Sequence, residues 1–232
     1  MIEYRREKAA VAAYDGNKRI GECTFTVEND VWNLEHTFVD KAYGGQGIAG
    51  KLVEGVCEAA REQGAFVRPV CSYAVHLFEK KPDVYSSVAA YDFYGWRSAP
   101  VHPVGEGFKG VRDQKHLYAL LKKLWTRETS APRLRDKWSA ENPTLGQCSI
   151  TAFLAQDIFG GEVRGIVLPD GSHHCFNAVG SSVFDLTSEQ FGDTVLDYGN
   201  YVPESREEHF AKEEKRLRYE ALKSSLLTLL TY

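Results

Sequence analysis

A single cysteine, Cys148, lies where turn-forming residues give way to a helical pattern. The segment reads NPTLGQCSITAFLAQDIFGG over residues 142–161, with apolar side chains at helical spacing after the cysteine. Thr144 is the expected N-cap, and Gly160 with Gly161 is the expected end of the helix. Cys148 therefore falls near the first turn, where unpaired amides and the helix dipole favour the nucleophilic thiolate.

A thiolate nucleophile needs a base and a group that orients the base, and the stretch SHHCFNAVGSSVFDLT supplies both types. If Val179 and Gly180 form a two-residue hairpin turn, His174 and Asp185 face each other directly. If Gly180 and Ser181 form it, His174 and Asp185 are diagonal neighbours on one face. In a turn with an odd number of residues, His173 instead of His174 would lie on the same face as Asp185.

These residues predict a catalytic group in which Cys148 is the nucleophile, His174 the acid and base, and Asp185 the residue that fixes the imidazole. Gln147, or the amides around Cys148, is expected to stabilise an oxyanion. The chain order Cys, His, Asp agrees with papain-like and transglutaminase-like enzymes.

Two other interpretations of the same residues stay open. Cys148 can be a packing residue in a binding module, because free cysteine behaves as a small hydrophobe. His173, His174, Cys148 and Cys175 can also be imagined as zinc ligands. Their spacing matches no common zinc finger, and adjacent strand residues point to opposite faces, so the sequence predicts no metal site.

A glycine-rich loop, YGGQGIAGK, stands between a predicted strand and a predicted helix in the first half of the chain. Its small residues let backbone amides at a helix N-terminus approach an anionic group such as phosphate. A tight turn without a ligand is the plain alternative. The candidate binding residues are Gly45, Gln46, Gly47, Ile48, Ala49, Gly50 and Lys51.

Two blocks of the first half, EHTFVDKAYGGQGIAGKLV and VRPVCSYAVHLFEKKPDVYSSV, resemble the short YjdJ-like branch of the GNAT acetyltransferase superfamily across roughly residues 4–90. Gly44 stands where that pattern has Gln or Arg, and Lys81 where it has His. The resemblance implies a shortened fold whose strands splay to admit acetyl-CoA, with Gly45 to Lys51 on the pyrophosphate. It also implies an amine acceptor, on a small molecule or a peptide.

The same resemblance places Cys71 near the acetyl thioester, as a proton donor or a transient acetyl acceptor. Burial as a core residue is the alternative. His36 is interpreted as a half-buried strand residue, and Cys23 and Cys57 as core residues. A domain that binds acetyl-CoA as a sensor, without catalysis, is a further alternative.

The second half resembles the YunG-like family over roughly residues 114–191, through WTRETS, NPTLGQCSITAF, FGGEV, HCFN and FDLTSEQF. The resemblance implies that Cys148, His174, Asn177 and Asp185 occupy the family's motif positions, and that Cys175 replaces an aromatic residue. Either the second half is a thiol-dependent enzyme, or it is a substrate-binding or regulatory module for the first.

The elements around these motifs predict an α+β protein of two domains. Residues 1–97 form a small GNAT-like antiparallel or mixed sheet with helices, beginning with three strands before Asp40. Residues 98–112, rich in proline and glycine, are the predicted linker. Residues 113–232 form an α+β domain of papain-like or transglutaminase-like character. It ends in a charged helix from Glu204 to about Leu230, which packs Leu217 inward or mediates homo-oligomer formation.

Charge and composition narrow the class of partners. The net charge is -4 with both signs mixed along the chain, which argues against nucleic-acid binding. The N-terminus lacks an apolar signal core, and the chain has no run of roughly 18 apolar residues, so no membrane association is expected. The 5 cysteines fit no disulfide framework. We therefore expect a cytoplasmic protein.

Overall fold

The computed structural model describes residues 1–231, and these divide into two compact units. Unit 1 is Met1–Tyr91, and unit 2 begins at Asp92. The sequence placed the boundary at residue 97 and a linker at 98–112, whereas the structure packs that segment within unit 2. Val101 and Val111 are buried there, and the Val101 amide donates to Gln114 Oε1 at 2.9 Å. The prolines and glycines of residues 98–112 therefore correspond to irregular backbone that packs within unit 2 and not to an exposed linker.

Unit 1 is built on a five-stranded sheet in the order β1-β2-β3-β4-β5. The strands are β1 (Ile2–Glu7), β2 (Ala10–Asp15), β3 (Lys18–Glu28), β4 (Val31–Val39) and β5 (Phe66–Pro69). The first four pair antiparallel, and β5 pairs parallel to β4. Four strands precede Asp40, so the prediction of three was wrong. The additional turn, at Lys8 and Ala9, contains neither glycine nor proline.

Helix α1 (Ile48–Glu62) covers this sheet with an apolar face that includes Leu52, Val53 and Val56, all fully buried. Two short helices follow β5, namely α2 (Ser72–Lys80) and α3 (Pro82–Tyr85). Helix α2 ends before Pro82, which is the first residue of α3. Cys23 and Cys57 are buried in this core, as predicted.

Unit 2 has a four-stranded antiparallel sheet in the order β8-β7-β6-β9. Its strands are β6 (Glu162–Val167), β7 (His173–Val179), β8 (Ser182–Phe184) and β9 (Val202–Pro203). Its helices are α4 (Gln114–Leu121), α5 (Cys148–Phe159), α6 (Arg206–Phe210) and α7 (Glu213–Leu230). The α+β class is confirmed.

Helix α5 begins at Cys148 and ends before Gly160, whose φ of 75° suits glycine. The residue before the helix is Gln147, so the predicted N-cap Thr144 lies one turn too early. The predicted C-terminal helix is divided, because Ser205 caps α6 and a second start occurs after Lys212. On α7, Leu222 and Leu226 are fully buried, whereas Leu217 is 52% exposed and does not pack inward. Within residues 1–231, no helix is long and apolar enough to cross a bilayer.

Candidate functional site

Cys148 is the first residue of α5, and no side chain caps the N-terminus of that helix. The sulfur therefore lies at a helix N-terminus, near the first turn as the sequence predicted, where free amides and the helix dipole favour a negative charge. The thiol is partly exposed and lines a cavity of about 660 Å³. His174 and Cys175 of β7 line the same cavity.

His174 and Asp185 are in direct contact, with Nε2 of the imidazole 2.5 Å from Oδ2 of the carboxylate. Each side chain is 1% exposed. Val179 pairs with Ser182, so Gly180 and Ser181 form the hairpin turn and the diagonal arrangement is the one observed. The register of β7 and β8 therefore brings this pair together from 11 residues apart.

The carboxylate of Asp185 accepts four hydrogen bonds. Oδ1 accepts from the amide and the hydroxyl of Thr187, both at 3.0 Å. Oδ2 accepts from His174 and, at 2.9 Å, from the hydroxyl of Tyr198. The Tyr94 ring stacks on the Tyr198 ring with 3.6 Å between the ring centroids. The Tyr94 carbonyl accepts a hydrogen bond from the Asp185 amide. These four donors satisfy the buried carboxylate and fix its orientation.

The electrostatics of this group favour a thiolate and an imidazolium. A hydrogen bond from Cys175 and another with His174 outweigh burial and hold the pKa of Cys148 well below its usual range. Burial disfavours a charge on His174, but the Asp185 carboxylate and the Cys148 sulfur raise its pKa to about 10. Because Asp185 occupies Nε2 of His174, Nδ1 is the ring nitrogen that interacts with the Cys148 sulfur, and Nδ1 has no other hydrogen-bond partner among the described atoms.

Three neighbours of this group have structural roles. Gln147 is fully buried and its side-chain amide donates to the Thr126 carbonyl at 2.9 Å, so it does not serve the predicted oxyanion role. Asn177 donates to the Ala152 carbonyl at 2.9 Å and so ties β7 to α5. His173 pairs with Glu204 in the wall of the same cavity, with Nδ1 2.6 Å from Oε1.

The sequence interpretation missed three residues of this site. Thr187 follows Asp185 by two positions, a spacing at which an Asp oxygen commonly accepts from the backbone, so it was recoverable. Tyr198 and His209 come from distant segments and carry no local signal. His209 is buried in the cavity wall, with Nδ1 3.1 Å from the Lys215 ammonium. Burial and that ammonium lower its pKa to about 4.

The glycine loop of unit 1 has the backbone that its sequence predicted. Gly45 and Gly47 have φ values of 75° and 73°, a region that favours glycine, and Gly47 directly precedes α1. No side chain caps this helix, and a Cβ at either glycine would meet nothing within 4 Å. The loop is therefore open to a ligand.

Strands β4 and β5 separate next to this loop. They pair only from Val31 and Phe66 to Leu34 and Pro69, after which β4 continues to Val39 paired with β3 but not with β5. The amides of Val70 and Cys71 both donate to the Leu34 carbonyl, which marks the end of the pairing.

Cys71 lies at this opening, partly exposed, and its sulfur accepts from the Ala74 amide at 3.4 Å as the N-cap of α2. Thr37 of β4 contacts the same sulfur at 3.4 Å. The Tyr73 hydroxyl, which the sequence interpretation missed, lies 3.6 Å from where a Gly50 Cβ would stand. His36 is exposed instead of half-buried. The structure thus places Cys71, Tyr73 and the glycine loop in one region of unit 1.

Comparisons with known proteins assign both halves of the chain. Residues 9–88 match the family model described as GCN5-related N-acetyl-transferase. Unit 1 is accordingly a GCN5-related N-acetyltransferase domain, which makes the chain an enzyme of that class. Residues 113–231, more than half of the chain, match the family model described as YunG protein, and the chain belongs to the YunG family. Both resemblances seen in the sequence are confirmed.

One similar relative is the uncharacterized protein YunG of Bacillus subtilis (strain 168), 40% identical over 96 residues that cover 41% of this chain and 76% of the relative. A solved structure, the NMR solution structure of a GCN5-like protein from Staphylococcus aureus, shares 31% identity. It covers 42% of this chain and 96% of that protein, with a TM-score of 0.33.

Proposed function

We propose that unit 2 carries out thiol-dependent acyl transfer or amide cleavage, in the manner of papain-like and transglutaminase-like enzymes. This activity would be additional to the N-acetyltransferase of unit 1. One observation carries the proposal. The buried contact of 2.5 Å between His174 Nε2 and Asp185 Oδ2 leaves Nδ1 as the ring nitrogen for Cys148, which lies at a helix N-terminus.

The proposed reaction gives each of these groups a role. The Cys148 thiolate attacks an acyl carbon and forms a thioester as the bond to the leaving amine breaks, while the imidazolium of His174 gives its Nδ1 proton to that amine. The amides at the start of α5 stabilise the oxyanion in place of Gln147. His174, now neutral, removes a proton from water or from an acceptor amine, whose oxygen or nitrogen attacks the thioester carbon. The C–S bond then breaks and the Cys148 thiolate is restored, while Asp185 orients the ring throughout.

For unit 1 we propose acetyl-CoA as the acetyl donor and an amine of a small molecule or peptide as the acceptor. Bound acetyl-CoA supplies an activated thioester. The loop from Gly45 to Lys51 fits its pyrophosphate, because positive φ at Gly45 and Gly47 turns the backbone toward an anion without a side chain in the way. The Lys51 amide donates to the Gly47 carbonyl, so the amides before it are the ones available to the anion. Cys71 and Tyr73 each carry a proton for a leaving thiolate near the strand opening.

The unit 2 proposal is tested with p-nitrophenyl acetate as an acyl donor. We expect a burst of p-nitrophenol and an acetyl group on Cys148, read by peptide mass spectrometry, and neither in Cys148→Ser. Cys57→Ser, which alters a buried thiol of unit 1, is the control and should keep the burst. An unlabelled Cys148 would contradict the proposal and favour a substrate-binding or regulatory module.

The unit 1 proposal has a matched pair of glycines at the two ends of α1. Gly47 and Gly64 both have positive φ and open space at the Cβ position, but only Gly47 belongs to the loop. We expect Gly47→Ala to weaken acetyl-CoA binding in calorimetry and Gly64→Ala to leave it unchanged. Equal affinities would contradict the loop assignment. Binding without acetylation of any amine in a panel of polyamines and peptides would favour a sensor.

A further inference from the structure

A second cysteine shares the Cys148 site and has no part in the proposed reaction. Cys175 lies on β7, is 3% exposed, and is a free thiol like Cys148. Both residues line the same cavity. The proposed acyl chemistry requires one sulfur, so the presence of the other calls for a separate explanation.

The packing of α5 on β7 brings the two sulfurs together. The bond from Asn177 Nδ2 to the Ala152 carbonyl fixes one contact between helix and strand. Cys148 lies four residues before Ala152, about 6 Å along the helix, and Cys175 lies two residues before Asn177, about 6.6 Å along the strand on the same face. Because these two distances from the contact between Ala152 and Asn177 are nearly equal, Cys148 lies opposite Cys175.

The side chains make that contact. The thiol of Cys175 hydrogen-bonds the sulfur of Cys148. This bond and burial raise the pKa of Cys175 well above its usual range, so Cys175 stays protonated beside a neighbouring thiolate. A reactive thiolate at a cavity, with a second thiol in contact, is the arrangement that a peroxide converts to a disulfide.

We propose that Cys148 and Cys175 form a reversible redox pair, oxidised by hydrogen peroxide to a disulfide that blocks the Cys148 nucleophile. The Cys148 thiolate attacks one peroxide oxygen, the O–O bond breaks, and the released hydroxide takes a proton to become water. Cys148 is then a sulfenic acid. The Cys175 sulfur attacks the Cys148 sulfur, the S–O bond breaks, and hydroxide leaves with the Cys175 proton as a second water. Two thiols are oxidised and one peroxide is reduced.

The pair has a protective consequence. Without a resolving thiol, a sulfenic acid reacts with further peroxide to sulfinic acid, which ordinary thiols do not reduce. Cys175 lies close enough to trap the sulfenic acid first. A dithiol such as dithiothreitol then restores both thiols.

The test exposes the reduced full-length protein to hydrogen peroxide, followed by non-reducing peptide mass spectrometry. We expect a Cys148–Cys175 cross-linked peptide with the loss of two hydrogens, loss of Cys148 alkylation by iodoacetamide, and recovery of both after dithiothreitol. In Cys175→Ser we expect the same peroxide to give sulfinic acid at Cys148 and no recovery. Cys57→Ser, which alters a buried thiol of unit 1, should behave as wild type.

The proposal fails if peroxide gives sulfinic acid at Cys148 in the wild type, or cross-links other cysteines instead. It also fails if Cys175→Ser recovers fully. These outcomes are separate from the acyl-transfer proposal, because acetyl labelling of Cys148 by p-nitrophenyl acetate is measured under reducing conditions. A labelled Cys148 without a cross-link overturns only the redox pair, and a cross-link without labelling overturns only the acyl chemistry.

Discussion

The carboxylate of Asp185 is the charge on which the unit 2 site depends. It is buried, it accepts four hydrogen bonds, and it faces the imidazole whose pKa it raises. The imidazolium in turn stabilises the Cys148 thiolate. A change at Asp185 should therefore appear as a change in thiol reactivity, even though Asp185 is not itself the nucleophile.

Asp185→Asn keeps the shape of the side chain and removes its charge. A hydrogen bond to a charged group contributes about 1.5–3 kcal/mol, so we expect Cys148 alkylation at neutral pH to slow by about tenfold or more. Tyr198→Phe removes one of the four donors but keeps the charge and the other three, so it should slow alkylation less than Asp185→Asn does. Iodoacetamide rates measure both variants. Similar rates in wild type and Asp185→Asn would show that Cys148 does not depend on this charge.

His209 should make the free energy of unfolding depend on pH in the acid range. Its pKa is lowered to about 4 by burial and by Lys215, with Arg218 and Lys212 contributing in the same direction and Cys148 opposing them. The unfolded chain therefore binds a proton that folded His209 rejects between pH about 6.5 and about 4. In this window the free energy of unfolding should decrease as pH falls. Urea denaturation at a series of pH values measures the slope.

His209→Gln should make that slope shallower. His36→Gln alters an exposed histidine of unit 1 and serves as the control with a wild-type slope. An unchanged slope in His209→Gln would mean that the acid sensitivity comes from other groups. Cys148 contributes a slope of the same sign from the roughly 8.5 of a free thiol downward, because a thiol whose pKa is lowered on folding contributes stability that is lost as pH falls toward the folded value.

At the scale of elements, the site depends on the hairpin of β7 and β8 and on the segment beside it. Gly95 has a φ of 77°, and a Cβ there would stand 2.1 Å from the Val183 carbonyl of β8. Tyr94, its neighbour, bonds the Asp185 amide. Only glycine lets this segment lie so close to β8 and hold Asp185 under the imidazole.

Gly95→Ala should therefore destabilise unit 2 more than Gly180→Ala does. Gly180 also has positive φ, 57°, but has nothing within 4 Å of its Cβ position, so its substitution costs only the roughly 1–2 kcal/mol of backbone strain. Thermal unfolding and Cys148 alkylation measure the two variants. Equal effects would contradict the close approach to Val183.

The sequence predicted the elements with strong local signals and missed those set by distant contacts. Helix α5 and the pairing of His174 with Asp185 followed from apolar spacing, terminal glycines and hairpin parity. The turn at Lys8 and Ala9 contains no typical turn-forming residue, so the sequence indicates a single strand where the structure has β1 and β2. Tyr198 and His209 reach the site only through tertiary packing, which no local pattern encodes.

At the scale of the whole molecule, two units with separate cores each contain a candidate site. The contacts described for Cys148 all lie in unit 2, and those of the glycine loop all lie in unit 1. Substitutions without shared partners have additive effects. The two activities are therefore expected to respond to separate substitutions.

We expect Cys148→Ser to leave acetyl-CoA affinity unchanged and Gly47→Ala to leave the Cys148 alkylation rate unchanged. Calorimetry and alkylation measure the two quantities on the full chain. The double variant should show both losses in full. A change in acetyl-CoA affinity in Cys148→Ser would instead support a regulatory role for unit 2.

The most direct measurement is the alkylation rate of Cys148 by iodoacetamide as a function of pH, read by peptide mass spectrometry on the reduced protein. The contacts with Cys175 and His174 predict an apparent pKa well below the roughly 8.5 of a free thiol, with rapid alkylation already at neutral pH. Buried Cys57, whose pKa burial raises to about 12, should stay unreactive in the same samples. A Cys148 that reacts no faster than a free thiol, or does not react at all, would contradict a catalytic thiolate in unit 2.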